Sequence, residues 1–128
     1  RVVVQNKCTL SIVEDGEIHI NEGVRLGAEN IISAKSKIVL HKNVLTAARV
    51  FIADHNHEIS NDLIPIMFQG SSEPRKVEIG EGTWIGVNVS VLPGVNLGKN
   101  CVVGSNSLVN KSFPDNSIIG GIPAKLIK

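Results

Sequence analysis

The stretch Ile79–Val109, IGEGTWIGVNVSVLPGVNLGKNCVVGSNSLV, carries a branched aliphatic residue at every sixth position. An α-helix would repeat its apolar stripe every 3.6 residues and an exposed strand every two residues, so neither produces this spacing. Gly often follows the aliphatic residue, which is typical of a corner where the backbone needs positive φ or close approach. Each hexad therefore predicts one short strand and one turn, with the aliphatic side chain pointing inward. The series is Ile79, Ile85, Val91, Leu97, Val103 and Val109, and a second series of the same period is Ile20, Leu26, Ile32, Ile38, Val44 and Val50.

Three such hexads close one triangular coil, and stacked coils form parallel strands about 4.8 Å apart. The pattern therefore predicts an all-β fold, a parallel β-helix of about five coils with one extended loop. The expected coils are a less regular first one at 1–19, followed by 20–37, 38–55, 79–96 and 97–114. We expect a single domain over residues 1–128, with a C-terminal extension over about 115–128.

Composition excludes several partners. The net charge of +1 gives no one-sided basic surface, and an aromatic content of 3% offers few stacking platforms, so no nucleic-acid partner is expected. Cys8 and Cys101 lack the spacing of a metal site, and we interpret them as reduced thiols of a cytoplasmic protein that binds no metal. Because no apolar run approaches the length of a bilayer span, membrane insertion is not expected either.

The six-residue period fails between Val50 and Ile79. The intervening segment, about 54–76, is polar at both ends and apolar at its centre, Leu63–Phe68. An insertion of this kind leaves a solenoid as a loop on one face, often the functional face. His55 and His57 stand at its root, and imidazole is the side chain best suited to proton transfer near neutral pH. Asp54, at an inward position, is expected to hydrogen-bond a turn, and the apolar centre to pack against this chain or another subunit.

Two segments carry a resemblance to a known family: Asn43–His57 (NVLTAARVFIADHNH) and Thr83–Lys128 (TWIGVNVSVLPGVNLGKNCVVGSNSLVNKSFPDNSIIGGIPAKLIK). They resemble the hexapeptide-repeat acetyltransferases, in the branch that contains the galactoside, maltose and streptogramin acetyltransferases. The resemblance covers about residues 20–128, and the ordered run from WIG through PGV to the closing GIPAK is its most specific part. It implies a left-handed β-helix, a homotrimer, and acetyl-CoA as co-substrate in the groove between adjacent subunits.

The resemblance also implies roles for individual residues. Counted without gaps from Asn43, the catalytic histidine of the family falls on His57, with His55 as the second choice. Trp84 is expected to pack in the core or along the wall of the groove. Lys at the phosphate-binding positions keeps the charge of the family's basic residues but lacks the bidentate geometry of Arg. The positions implied to bind the cofactor are Val87, Ser105, Asn110, Lys111, Lys125 and Lys128.

The function implied is transfer of the acetyl group of acetyl-CoA to a hydroxyl, on a sugar or polysaccharide precursor, by direct attack with a histidine general base. A carboxylate used by the galactoside enzymes falls on Lys35, which argues against a simple galactoside acceptor. Three alternatives stay open: N-acetylation of an amino sugar, a non-catalytic trimerisation module, and a γ-type carbonic anhydrase. The last would need zinc on His41, His55 and His57.

Overall fold

Short β-strands make up almost all of the regular structure in the computed structural model, which describes residues 1–128. The strands are β1 (Val3–Val4), β2 (Thr9–Ile12), β3 (Glu17–Ile20), β4 (Arg25–Leu26), β5 (Ile31–Ala34), β6 (Lys37–Leu40), β7 (Leu45–Thr46), β8 (Phe51–Ala53), β9 (Val77–Ile79), β10 (Trp84–Ile85), β11 (Ser90–Val91), β12 (Asn96–Leu97), β13 (Val102–Val103), β14 (Leu108–Val109), β15 (Ile118–Gly121) and β16 (Ala124–Leu126). One 3₁₀ helix spans Ile66–Phe68.

Consecutive strands fall in different sheets, so the chain winds around a triangular prism. The first face has the order β1-β4-β7-β10-β13-β15-β16, the second β14-β11-β8-β5-β2 and the third β12-β9-β6-β3. All neighbours are parallel except β15 and β16. This confirms the predicted all-β, left-handed parallel β-helix. The first face has six parallel rungs, because Ile118–Gly121, within the predicted C-terminal extension, adds a strand to β13.

The inward aliphatic residues form the core. Eleven of the twelve hexad positions are buried, and the twelfth, Ile20, packs partly buried against the same cluster near the N-terminal end of the stack. The expectation that Trp84 packs in the core was wrong: the side chain is 51% exposed on the outer side of the first face, between Leu45 and Val102. Successive residues of a strand point to opposite sides, so Trp84 must face outward when Ile85 faces inward.

The coils are not all of one length. In the C-terminal half the register advances by 18 residues per coil, as expected: Ile79 pairs with Leu97 and Ile85 with Val103. In the N-terminal half it advances by 20, and the predicted boundaries at 20–37 and 38–55 were wrong: Ile18 pairs with Ile38, Leu26 with Thr46 and Ile32 with Ile52. The extra residues lengthen the strands of the second and third faces, where β5 and β6 have four residues each.

The change of register places Thr46 inside the prism, at a level where the neighbouring coils have Leu26 and Ile85. Its hydroxyl donates to the side-chain oxygen of Asn30, and the Asn30 amide donates to the carbonyl of Ala47 at 2.8 Å. Because a buried polar group is costly only when it lacks a partner, this pair is tolerated in an otherwise aliphatic core.

The corners explain the glycines of the hexads. Positive φ is adopted by other residues, such as Arg49, Asn88 and Asn106, which stack at the corner between the first and second faces. Gly80, which follows an inward aliphatic residue, is instead required by close approach: a Cβ atom there would lie 2.3 Å from the carbonyl of Gly98 in the next coil. Of the two reasons expected for these glycines, close approach is the one that applies.

Candidate active site

The loop that interrupts the repeat begins where β8 ends at Ala53 and closes where β9 begins at Val77. Its two legs are held together by backbone hydrogen bonds. His57 and Ser71 form an antiparallel bridge, the Glu58 N–H donates to the carbonyl of Gly70 at 2.9 Å, and the Ser72 N–H donates to that of Asn56 at 2.8 Å. The segment that carries both histidines is therefore fixed to the prism by a short ladder.

A pocket of about 520 Å³ lies at this root, on the outer side of β2, β5 and β8. Both imidazoles line it, as predicted from their position at the root. The rest of the lining mixes small hydroxyl side chains with apolar ones, a surface able to bind a ligand with both hydroxyl groups and an apolar ring face. The lining residues other than the two histidines and Asn56 are Thr9, Ser11, Ser33, Ser71, Val13, Ile31, Phe51 and Ala53.

Asp54 lies beneath the pocket and is fully buried. Its Oδ1 accepts the backbone N–H of Lys35 at 2.8 Å, and its Oδ2 accepts those of Ser36 and Lys37, each at 2.8 Å. Burial by itself would raise the pKa of this carboxyl, but these hydrogen bonds and that of His55 outweigh it and hold the pKa below its ordinary value. The expectation that Asp54 binds a turn is confirmed, and the turn is that between β5 and β6 in the preceding coil.

The two histidines have different surroundings. The Nδ1 of His55 lies 2.9 Å from Asp54 Oδ1, and the His55 side chain is 16% exposed. His57 is exposed, and neither of its ring nitrogens has a hydrogen-bond partner within the chain. The sequence pointed to His57 through the resemblance, whereas only the structure shows that a buried carboxylate supports the neighbouring ring of His55.

Lys35 links the loop to the first half of the prism. Its Nζ donates to Ser71 Oγ at 2.5 Å and lies 3.9 Å from Glu14 Oε2. Since Ser71 lines the pocket and pairs with His57, a cation holds the far leg of the loop at this place. Sequence reasoning missed Thr9, Ser11 and Ser33; the alternation of residues along β2 and β5 was the signal that could have placed them on the outer face.

The residues predicted to bind the cofactor do not lie beside His57 in one chain. Val87 and Ser105 lie at the corner between the first and second faces, where the Asn106 N–H donates to the carbonyl of Val87 at 2.8 Å. His57 follows β8 and lies at the opposite edge of the second face. The other four predicted residues are also near the C-terminal end: Asn110 and Lys111 follow β14, Lys125 lies in β16 opposite Gly120, and the Lys128 N–H donates to the carbonyl of Ile118 at 3.2 Å.

His41 lies outside the pocket. It follows β6 on the third face, and its Nε2 is 3.5 Å from Glu78 Oε1. No helix of the structure is long and apolar enough to cross a membrane.

The centre of the loop is unpartnered within the chain. Gln69 closes it by donating to the carbonyls of Asn61 at 2.8 Å and Ile64 at 2.6 Å. The apolar side chains around it stay in solvent, with Leu63 92% and Met67 76% exposed. Of the two expected environments for this segment, packing against its own chain is not what the structure shows.

The fold and this pocket define a β-helix with a histidine-bearing loop, and comparison with known proteins gives its family. Residues 76–111 match the family model "Bacterial transferase hexapeptide (six repeats)". The chain is 38% identical over 120 residues to WbbJ of Escherichia coli, provisionally named an O-acetyl transferase of lipopolysaccharide biosynthesis; the match covers 88% of this chain and 61% of WbbJ. The chain spans between 38% and 61% of the length of the first curated relatives it matches.

Two solved structures are similar. The polysialic acid O-acetyltransferase OatWY is 27% identical with a TM-score of 0.80, and the match covers 99% of this chain and 60% of OatWY. AntD, an N-acyltransferase from Bacillus cereus solved with dTDP-4-amino-4,6-dideoxyglucose and coenzyme A, has a TM-score of 0.86 at 22% identity, covers 100% of this chain and matches over 69% of its own; it supports the fold alone. The chain belongs to the hexapeptide-repeat acetyltransferase family.

Proposed function

We propose that this chain is the catalytic β-helix of an acetyl-CoA-dependent O-acetyltransferase whose acceptor is a hydroxyl of a polysaccharide or of its sugar precursor. The observation that carries this proposal is the pair of imidazoles in the pocket at the root of the loop, lined by small hydroxyl side chains. The relatives support it, since WbbJ and OatWY are named for O-acetyl transfer to saccharides. Lys35 at the pocket's edge argues against a simple galactoside acceptor.

In the proposed reaction His57 is the general base. Its Nε2 takes the proton of the acceptor hydroxyl while the oxygen attacks the acetyl carbonyl, and backbone N–H groups of a neighbouring coil meet the charge that develops on the carbonyl oxygen. The C–O bond forms, the C–S bond breaks, and the sulfur of CoA leaves and receives the proton from His57. A thioester is activated enough for this direct transfer, so no covalent enzyme intermediate is needed.

The proposed assembly is a homotrimer with acetyl-CoA between subunits. Val87 and Ser105 lie across the second face from His57, so the pantetheine-binding edge of one subunit must meet the histidine of another. Lys111, Lys125 and Lys128 would then attract the CoA phosphates. The exposed apolar loop centre supports an assembly, because exposed apolar clusters of this kind usually mark contact surfaces. Sedimentation analysis should give three times the chain mass of 13.7 kDa, and a monomer at micromolar concentration would contradict the assembly.

The function is tested by CoA thiol release with acetyl-CoA and a panel of saccharide and amino-sugar acceptors. His57→Ala should lower the rate about 10²–10⁴-fold with folding unchanged. His19→Ala, which removes an exposed imidazole of the third face, is the matched control and should keep full activity. Near-normal turnover of His57→Ala combined with collapse of His55→Ala would transfer the base role to His55. Failure of the wild type to bind acetyl-CoA would favour the non-catalytic module, and transfer to amines alone would favour the N-acetyltransferase.

A further inference from the structure

The pocket contains a second histidine that the proposed base does not need, and a buried carboxylate holds it in place. Asp54 has four hydrogen-bond partners, two on each oxygen, and all four are nitrogen atoms. Three of them are backbone N–H groups, which can only donate. An ionised carboxylate can only accept, so the fourth partner, His55 Nδ1, must carry a proton and donate it.

The same argument fixes the other nitrogen of the His55 ring. A neutral imidazole carries one proton, and with that proton on Nδ1 the lone pair is on Nε2. Nε2 has no partner within the chain, and no buried side-chain nitrogen or oxygen atom lacks a partner, so Nε2 reaches the accessible surface. Since His55 lines the pocket, its Nε2 is a fixed hydrogen-bond acceptor there.

We propose that Asp54 is a positioning residue that locks His55 as its Nδ1–H tautomer, and that His55 Nε2 binds a second hydroxyl of the acceptor, adjacent to the one that reacts. The inference rests on the proposed function, with His57 as the base. It names the acceptor class as a polyol with neighbouring hydroxyl groups, one donating to His55 and the other losing its proton to His57. The two histidines are separated by one residue on a leg that is tied to the prism, which suits two adjacent groups on one ring.

The positioning role is tested without any acceptor, by NMR of the ¹⁵N-labelled histidine rings at a pH where they are neutral. Wild-type His55 should show a protonated Nδ1 and an unprotonated Nε2. Asp54→Asn should lose this preference, because the amide can donate to Nδ1 and no longer requires its proton. Glu17→Gln is the matched control: Glu17 Oε1 lies 2.7 Å from His19 Nε2 in an exposed pair of the third face, and its loss should leave the His55 signals unchanged. A protonated Nε2 on wild-type His55 would overturn the inference even if Asp54→Asn failed to fold.

The acceptor role is tested with methyl hexopyranosides and their monodeoxy analogues. Removing the neighbouring hydroxyl should lower kcat/KM of the wild type about 10–100-fold, mainly through KM. His55→Ala should lose as much with the parent sugar and lose little more with the deoxy analogue, because the two changes remove the same hydrogen bond. Equal fractional losses with both acceptors would overturn the inference, as would a loss in kcat alone. Absence of transfer by the wild type to every probe would instead contradict the proposed function.

Discussion

Replacing Gly80 by Ala tests how closely the coils of this prism approach each other. A Cβ atom at position 80 would lie 2.3 Å from the carbonyl carbon and oxygen of Gly98 and 2.7 Å from the Lys99 nitrogen. These are backbone atoms, and the Gly80 N–H is bound to the carbonyl of Leu97 at 2.8 Å, so no flexible side chain can move aside. An ordinary contact begins near 3.4 Å, and the coils must therefore separate locally by about 1 Å.

The size of the effect follows from this displacement. Overpacking a core costs about 1–3 kcal/mol where side chains can rearrange, and a purely backbone clash should lie at the upper end, about 3 kcal/mol. With about 2.1 cal/mol/K of unfolding entropy per residue, a chain of this length loses about 4 °C of Tm for each kcal/mol, so Gly80→Ala should lower Tm by about 10 °C.

Gly104 offers a matched control, because it also follows an inward aliphatic residue. A Cβ atom there would meet its nearest neighbour, the carbonyl oxygen of Ile119, at 3.6 Å, an ordinary contact. Gly104→Ala should leave Tm unchanged or raise it, since Ala restricts the unfolded chain by about 0.4–1 kcal/mol. Circular dichroism melts at one protein concentration compare the two variants. A Tm of Gly80→Ala within about 2 °C of the wild type, or an equal fall for Gly104→Ala, would refute the close-approach reasoning.

Two further predictions concern charge. The pKa of Asp54 is lowered in the folded state, so its contribution to stability is present above the unfolded-state value of about 3.9 and is lost as pH falls through the lower folded-state pKa. The difference in unfolding free energy between wild type and Asp54→Asn should therefore shrink as pH is lowered below about 4, measured by urea denaturation, and a difference independent of pH would contradict this. Replacing Lys125 and Lys128 together by Gln should weaken CoA binding in calorimetry, more at low than at high ionic strength, whereas unchanged affinity at low salt would exclude both from the phosphate site.

The sequence alone determined the prism, because the hexad pattern is a local property: an inward aliphatic residue at every sixth position is compatible with few folds other than a triangular coil. It also located the loop and its histidines, since a break in a regular repeat is visible without coordinates. Register between coils was different. The N-terminal half matches the six-residue spacing as written, yet Leu26 pairs with Thr46, since the longer strands of the second and third faces add two residues to each coil.

Tertiary structure alone decided the support of the site. Asp54 meets the turn at residues 35–37 because one coil is stacked on the next, and no pattern along the chain indicates that this carboxylate also holds His55. In the same way, stacking puts Thr9 and Ser33 under the loop that carries His57. The periodicity of the sequence reports which side chains face inward; the neighbours of an outward side chain depend on the coils above and below it, and those are fixed only when the coils pack.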